Sequence, residues 1–260
     1  MYDHHRESIE RTTQRFANDP EVRALLLGGS VAHGFATPTS DIDVLIVVDD
    51  AAYEDRRRDG RLQYFDPELC TYDGGYVDGK YLGVGFLRQV AERGSDPARF
   101  AFKDAQVLLS QVDGLDATLR AIRRYPVAQK PERIQRFYAQ FETWHWYAHE
   151  ALKLGNRHLL GVAVGKLVLF GGRLVLVHNE LLYPYHKWFL TVLERAPNKP
   201  AELMPRIAAL YADPSADNIR AFYETVLTFR SWECNVVWPT QFMLDSELNW
   251  LDGRTPVDDL

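Results

Sequence analysis

Residues 25–48 read LLLGGSVAHGFATPTSDIDVLIVV, and the fold follows from how this stretch is punctuated. A short apolar run from Val22 to Leu27 stops abruptly at Gly28-Gly29, which is strand-like behaviour. Ser30 to Phe35 can open a helix, and Ala36 to Ser40 is a turn. Ile42 to Val48 is short, β-branched and almost wholly apolar, as expected of a strand buried on both faces. Glycines let a backbone approach a phosphate with no Cβ in the way, and amides at a helix start point at an anion. Gly28, Gly29 and Ser30, whose hydroxyl is a further donor, are therefore candidate triphosphate contacts.

Asp41 and Asp43 stand two apart at the opening of that strand, so both carboxylates leave the same face. So placed they repel one another unless a cation lies between them. That is how a hard, oxygen-seeking ion such as Mg2+ is held together with substrate phosphates. Two such ions would serve both the attacking oxygen and the triphosphate leaving group.

Working outward, residues 4–18 read as a polar-faced helix stopped by Asp19-Pro20, and 50–61 as a charged, exposed segment whose Arg56-Arg57-Arg58 run is solvated surface. Residues 76–85 read as a third strand, 86–93 as a helix, 100–109 as an edge element and 115–124 as a helix. The character changes at Pro126 to Pro131, and everything beyond reads helical. Over 132–154, Ile134, Phe137, Phe141, Trp144, Ala148 and Ala151 recur at the three-and-four spacing of one buried face. Further helices are expected over 158–182, 200–211 and 216–235. The fold class is thus α+β: a mixed β-sheet flanked by helices in a catalytic domain at 1–127, then an all-helical bundle domain at 128–260.

The 260 residues contain 46% hydrophobic and 25% charged side chains, enough to build a real core. The net charge is −6, and neither half carries the basic stripe of a large nucleic-acid footprint. Cys70 and Cys234 have no ligand-like spacing, so neither a zinc site nor a disulfide framework is supported. The opening MYDHHRESIE lacks an apolar signal core, and a cytoplasmic protein is expected. Residues 158–182 approach the length of a membrane span, yet contain Lys166, Arg173, His178 and Glu180. They read as the central helix of a bundle, with Gly161-xxx-Gly165 suiting close helix packing, and no membrane is expected.

The order hydrophobic strand, Gly-Gly-Ser, some ten residues, Asp-Ile-Asp, hydrophobic strand resembles the signature of the polymerase-beta nucleotidyltransferase superfamily. Its small bacterial members include aminoglycoside adenylyltransferases and minimal nucleotidyltransferases. The resemblance implies the nucleotidyltransferase fold, a nucleoside triphosphate such as ATP, divalent metal on Asp41 and Asp43, and catalysis by those residues. It also implies a third carboxylate from a later strand, serving as metal ligand and as base for the attacking hydroxyl. Asp78 fits best, with Lys80 on its face, and Asp73 is the runner-up. A turn aspartate before Gly79 is the bland alternative.

The resemblance extends loosely into 171–188, which looks like the helical substrate domain of antibiotic-type relatives. It implies transfer of a nucleoside monophosphate, AMP, to a hydroxyl of a small acceptor of aminoglycoside type. A protein-modifying or toxin–antitoxin-type enzyme, suggested by Arg173-x4-His178, and a catalytically silent nucleotide-binding module are the alternatives.

Lys166, Arg173 and Glu180 recur every seven residues. The two cations could meet a triphosphate, or the three could form an internal salt-bridge stripe, and both readings remain open. Glu142, His145, Trp146 and His149 share a second face of the 132–154 helix. Glu142 and Trp146 are candidate acceptor contacts, against ordinary packing. His145 and His149 have metal spacing but lack a zinc-protease arrangement. Monomer and homodimer are both left open.

Overall fold

A computed structural model describes residues 1–232, 234–235, 237–253 and 257. The chain divides into two compact units, Met1–Arg124 and Tyr125–Leu260.

The first unit is a mixed sheet with helices on both faces. α1 (Asp3–Ala17) leads to β1 (Val22–Leu27), α2 (Gly29–His33) and β2 (Ile42–Val48). α3 (Asp50–Arg58), β3 (Gln63–Asp66), β4 (Val77–Gly83), α4 (Val84–Arg93), α5 (Asp96–Phe100), β5 (Gln106–Ser110) and α6 (Leu115–Arg123) complete it. The strand order is β3-β4-β2-β1-β5. β1 runs antiparallel to β2 and β5, β3 runs antiparallel to β4, and β2 runs parallel to β4.

Strand alternation sorts the apolar side chains into two cores. Leu25, Leu27, Ile42, Val44, Ile46, Val48 and Val77 pack under α1 with Ile9 and Phe16. Ala24, Leu26, Val47 and Leu82 pack under α4 and α6 with Leu87, Val90, Leu119 and Ile122. Each fully buried Val, Leu or Ile contributes roughly 1.5–3 kcal/mol, so β2, loaded on both faces, anchors the unit. Arg99 ties the second helical layer together: its guanidinium donates to the carbonyls of Ala91 and Gly94 at the end of α4 and of Ala121 and Ile122 at the end of α6. The charged 50–61 segment, read as exposed, holds helix α3 and the turn that follows it. α3 buries none of its own residues, so no apolar period marks it.

The second unit is helical among the described residues: α7 (Lys130–Leu154), α8 (Arg157–His178), α9 (Phe189–Glu194), α10 (Leu203–Ala212), α11 (Ala216–Leu227) and α12 (Trp238–Phe242). Ile134, Phe137, Phe141, Ala148 and Ala151 of α7 are buried as the spacing requires, while Trp144 is half-buried. The helix expected to run to 235 ends at Leu227, and Glu233 lies outside the described residues. α8 is long and apolar enough to cross a bilayer, but 72% of its most apolar window is buried inside the unit.

Close packing of α8 does not use Gly161 and Gly165, where an added Cβ would meet nothing within 4 Å. It uses Gly171, where a Cβ would stand 2.8 Å from the Phe222 ring, and Gly172, where it would stand 2.3 Å from Phe189. α8 also stops at His178, so Glu180, with φ 57°, lies in the following turn and off the helical stripe. Its carboxylate pairs instead with Lys130 at 2.8 Å.

One buried ion pair ties α7 to the segment after α12. Arg136 donates through Nε to Asp245 at 2.8 Å, and Gln241 donates to the other Asp245 oxygen at 2.9 Å. Removing one member strands the other charge in low dielectric, which typically costs about 3–5 kcal/mol. Asp245→Ala is expected to lower the stability of the second unit by that order in chemical denaturation. A change under about 0.5 kcal/mol, the size of an ordinary surface substitution, would show that the pair does not anchor the segment.

Candidate active site

The constellation is built where β1 ends beside the start of β2. Gly28 donates its N–H to the Asp43 carbonyl at 2.9 Å, which sutures the glycine turn to the strand. That donor is therefore spent within the fold, and a Cβ at Gly28 would meet only ordinary contacts from 3.7 Å outward.

Gly29 is the constrained position. Its φ is +58°, and a Cβ there would lie 1.7 Å from Asp43 Oδ2 and 2.2 Å from Asp43 Cγ. Only glycine allows the turn and the carboxylate to lie this close. α2 has five residues, too few for a strong helix dipole, so its value to an anion lies in local donors. Ser30 supplies one: the residue is 4% exposed, and its Oγ has no hydrogen-bond partner. A buried hydroxyl left without a partner costs free energy, and a phosphate oxygen would satisfy it.

The third carboxylate is placed by register. In the parallel β2–β4 pair, Asp43 stands opposite Asp78 and Ile42 opposite Val77. Paired residues of adjacent strands point to the same face, with the strands about 4.8 Å apart. Asp78 lies within β4 and not in a turn, because Gly79 continues the strand and packs its Cα edge against Val44, Ile46 and Tyr64. Asp73 belongs to the turn before β4.

Tyr76, two residues upstream of Asp78, hydrogen-bonds to Asp41. Its phenol is pushed up chiefly by the Asp41 charge, with Asp78 and Asp43 adding to the effect. The Tyr76 hydroxyl is thus bonded to Asp41 and feels the charge of Asp78 and Asp43. Beyond them Phe65 of β3 stands opposite Asp78, and its ring lies 5.2 Å from that of Tyr76. Sequence reading missed both aromatics, since QYFD is too short and polar to announce a strand.

Among the described residues no three His, Cys, Asp or Glu side chains converge into a ready metal cage. One or two carboxylates completed by substrate phosphates are what Mg2+ usually accepts, so the paired Asp41 and Asp43 and the unsatisfied Ser30 hydroxyl fit a metal–triphosphate ligand.

The candidates of the second unit are held differently. Arg173 is 1% exposed, its guanidinium 4.3 Å from the Phe137 ring and 4.2 Å from the Tyr183 ring. A triphosphate could reach it only by opening that core, so its place is structural. His178 closes α8 against Arg230 and Phe229. Lys166 borders a cavity of about 460 Å³ with Gly161, Gly165, His186, Phe189 and Tyr211. Glu142 accepts hydrogen bonds from Tyr223 at 2.9 and 3.0 Å, and Tyr223 stacks on His145 at 3.7 Å. His145 and His149 meet through their Nε2 atoms at 3.2 Å, while Trp146 is 51% exposed. Four residues of α7 were read as one face; Trp146 turns to solvent, and the other three join one cluster through hydrogen bonds and the stacking of Tyr223 on His145.

A mixed five-stranded sheet flanked by helices, with a glycine turn set against an Asp-Ile-Asp strand, is the nucleotidyltransferase fold. Residues 7–80 match the family model of the nucleotidyltransferase domain, which supports the polymerase-beta-type superfamily for that stretch of the first unit. This supports a general nucleotidyl-transfer activity. Among solved structures the chain is similar to a nucleotidyltransferase-like protein from Exiguobacterium sibiricum 255-15. Identity is 11% and the TM-score 0.47, with 96% of this chain and 80% of that chain covered. No curated protein matches the sequence.

Gly29→Ala should lower nucleotidyl transfer by at least about tenfold while leaving a folded chain, because the added methyl must displace the Asp43 carboxylate. Steady-state rates with unchanged circular dichroism are the check, and full activity would show that the close approach is dispensable.

Burial, then the neighbouring His149, pushes the His145 imidazole down to about 4 from 6.5. The unfolded chain therefore binds the extra proton between those values, so this contribution to stability is intact above about 6.5 and lost as pH falls towards 4. The thermal unfolding temperature should fall as pH drops across that window in the native chain, and fall less in His145→Gln. Equal slopes in both would remove His145 as the cause.

Proposed function

We propose that the chain moves a nucleoside monophosphate, AMP, from a nucleoside triphosphate to a hydroxyl of a small molecule, with aminoglycoside-like antibiotics as the first candidates. The observation that carries this reading is the contact of Gly29 with Asp43, beside which the strand register sets Asp78. We assign catalysis to residues 1–127 and further acceptor contacts to the helical residues 128–260, and place the reaction in the cytoplasm.

Asp41, Asp43 and Asp78 would hold two divalent ions, Mg2+, which when bound neutralise the triphosphate and the charge that develops on it. Ser30 Oγ–H donates to the terminal phosphates, where its lack of a partner inside the protein makes it available. Asp78 accepts the proton of the acceptor hydroxyl. The acceptor oxygen bonds to the α-phosphorus as the bond from that phosphorus to the β-phosphate oxygen breaks, and pyrophosphate departs with that electron pair. Transfer then rests on positioning and charge. The absence of a basic stripe disfavours a nucleic-acid acceptor.

The test is incubation with α-labelled ATP, Mg2+ and a panel of aminoglycosides and lincosamides. Label should appear on a panel member, fall by about 100-fold or more in Asp43→Asn, and fall by up to about tenfold in Ser30→Ala, the size of one hydrogen bond. Transfer that survives Asp43→Asn would overturn the site. Transfer to no panel member would remove the antibiotic acceptor.

A further inference from the structure

The sheet edge next to the carboxylates carries an exposed aromatic side chain. Phe65 is 60% exposed on β3, an edge strand four residues long. A large ring exposed singly is ordinary on a protein surface. This one is not alone, for its cross-strand partner is Asp78 and its neighbour is Tyr76, whose hydroxyl reaches Asp41. The planes of the two rings lie 35° apart, a tilted pair. The polar members of the patch lie close by: Gln63 Nε2 is 3.5 Å from Asp78 Oδ1, and Lys80 stands opposite Gln63 in the β3–β4 pair.

Strand order gives this surface a direction. From β1 towards the edge the residues run Gly29 and Ser30, then Asp41 and Asp43 with β2, then Asp78 on β4, then Phe65 on β3. In a displacement at phosphorus, the entering oxygen and the leaving group lie on opposite sides of the reacting atom. If pyrophosphate departs over Ser30, the attacking hydroxyl arrives from the side of Asp78, and the body of the molecule carrying it lies over Phe65 and Tyr76.

We propose that Phe65 and Tyr76 form the acceptor platform of this site, and that the acceptor carries its hydroxyl on a saturated ring, a sugar or cyclitol, whose C–H face stacks on Phe65. This rests on the nucleotidyl-transfer reading of the same site. An aromatic face excludes water from one side of such a ring while leaving its rim of hydroxyls free to reach Asp78 and Gln63. Phe65 thereby selects ring-borne hydroxyls over open-chain ones, and Tyr76 is a positioning residue that aligns the platform with Asp41.

The full chain carrying 4-fluorophenylalanine only at position 65 tests this by 19F NMR. A non-hydrolysable ATP analogue with Mg2+ is added first, and its binding is measured independently by calorimetry in the native chain and in Asp43→Asn. Methyl β-D-glucopyranoside, kanamycin and, as an open-chain control, glycerol are then titrated. The analogue alone should leave the resonance in place. Methyl glucoside or kanamycin should shift it saturably, and glycerol at equal concentration should not. Phe65→Leu should weaken binding of the responding ring compound about threefold to tenfold, the range expected when a stacked contact is lost, with analogue affinity unchanged.

A resonance moved by the analogue alone would give the ring to the nucleobase and overturn the platform. So would a resonance unmoved by either ring compound while the analogue binds, or a change of oligomeric state in Phe65→Leu without any change in ring binding. Analogue binding that is absent, or that is indifferent to Asp43→Asn, would instead sink the nucleotidyl-transfer reading on which the platform rests.

Discussion

The first unit turns on one steric fact: the backbone of Gly29 occupies space beside the Asp43 carboxylate that no other residue could share. The contact joins two features of different character. A turn at φ +58° is an anion-facing device, and a carboxylate at a strand opening is a cation-facing device. Held this close, they suit a ligand that carries both signs, which a metal-bound triphosphate does. The bond from Gly28 N–H to the Asp43 carbonyl makes the arrangement part of the sheet and not of a mobile loop. The apolar load on both faces of β2 keeps it there.

The parallel pairing of β2 with β4 does the rest. It sets Asp78 level with Asp43, and antiparallel β3 then sets Phe65 level with Asp78. Residues from three separate segments of chain thus stand in one row at the rim of the sheet. Alternation sends them to the α4/α6 face, while Ile42, Val44 and Val77 turn to the α1 face to hold the strands together. Core packing continues on that face through Val47 and Leu82, so the carboxylates take only the rim of the sheet.

Much of the first unit was legible. Val22–Leu27 and Ile42–Val48 announce themselves as mainly apolar runs bounded by turn residues, the second rich in β-branched side chains, and the structure places β1 and β2 on those residues. Asp78 could be chosen over Asp73 only as a preference, since strand register is a long-range property that no local pattern encodes. β3 escaped notice because four residues, two of them polar, carry no period, and with β3 went Phe65. α3 was hidden by lacking a buried face. In the second unit the regular spacing of α7 was read correctly, whereas charge spacing on α8 misled. Arg173 looked like a phosphate ligand because sequence shows its charge and not the Phe137 and Tyr183 rings that enclose it. Glu180 left the stripe because the helix ends two residues before it.

A crystal structure of the chain with Mg2+ and a non-hydrolysable ATP analogue bears most directly on whether turn and carboxylates act as one site. The terminal phosphates should lie within hydrogen-bond reach of Ser30 Oγ, with Mg2+ between them and the Asp41 and Asp43 carboxylates. A nucleotide bound elsewhere, or one held at this turn with both carboxylates facing away from it, would contradict that unity.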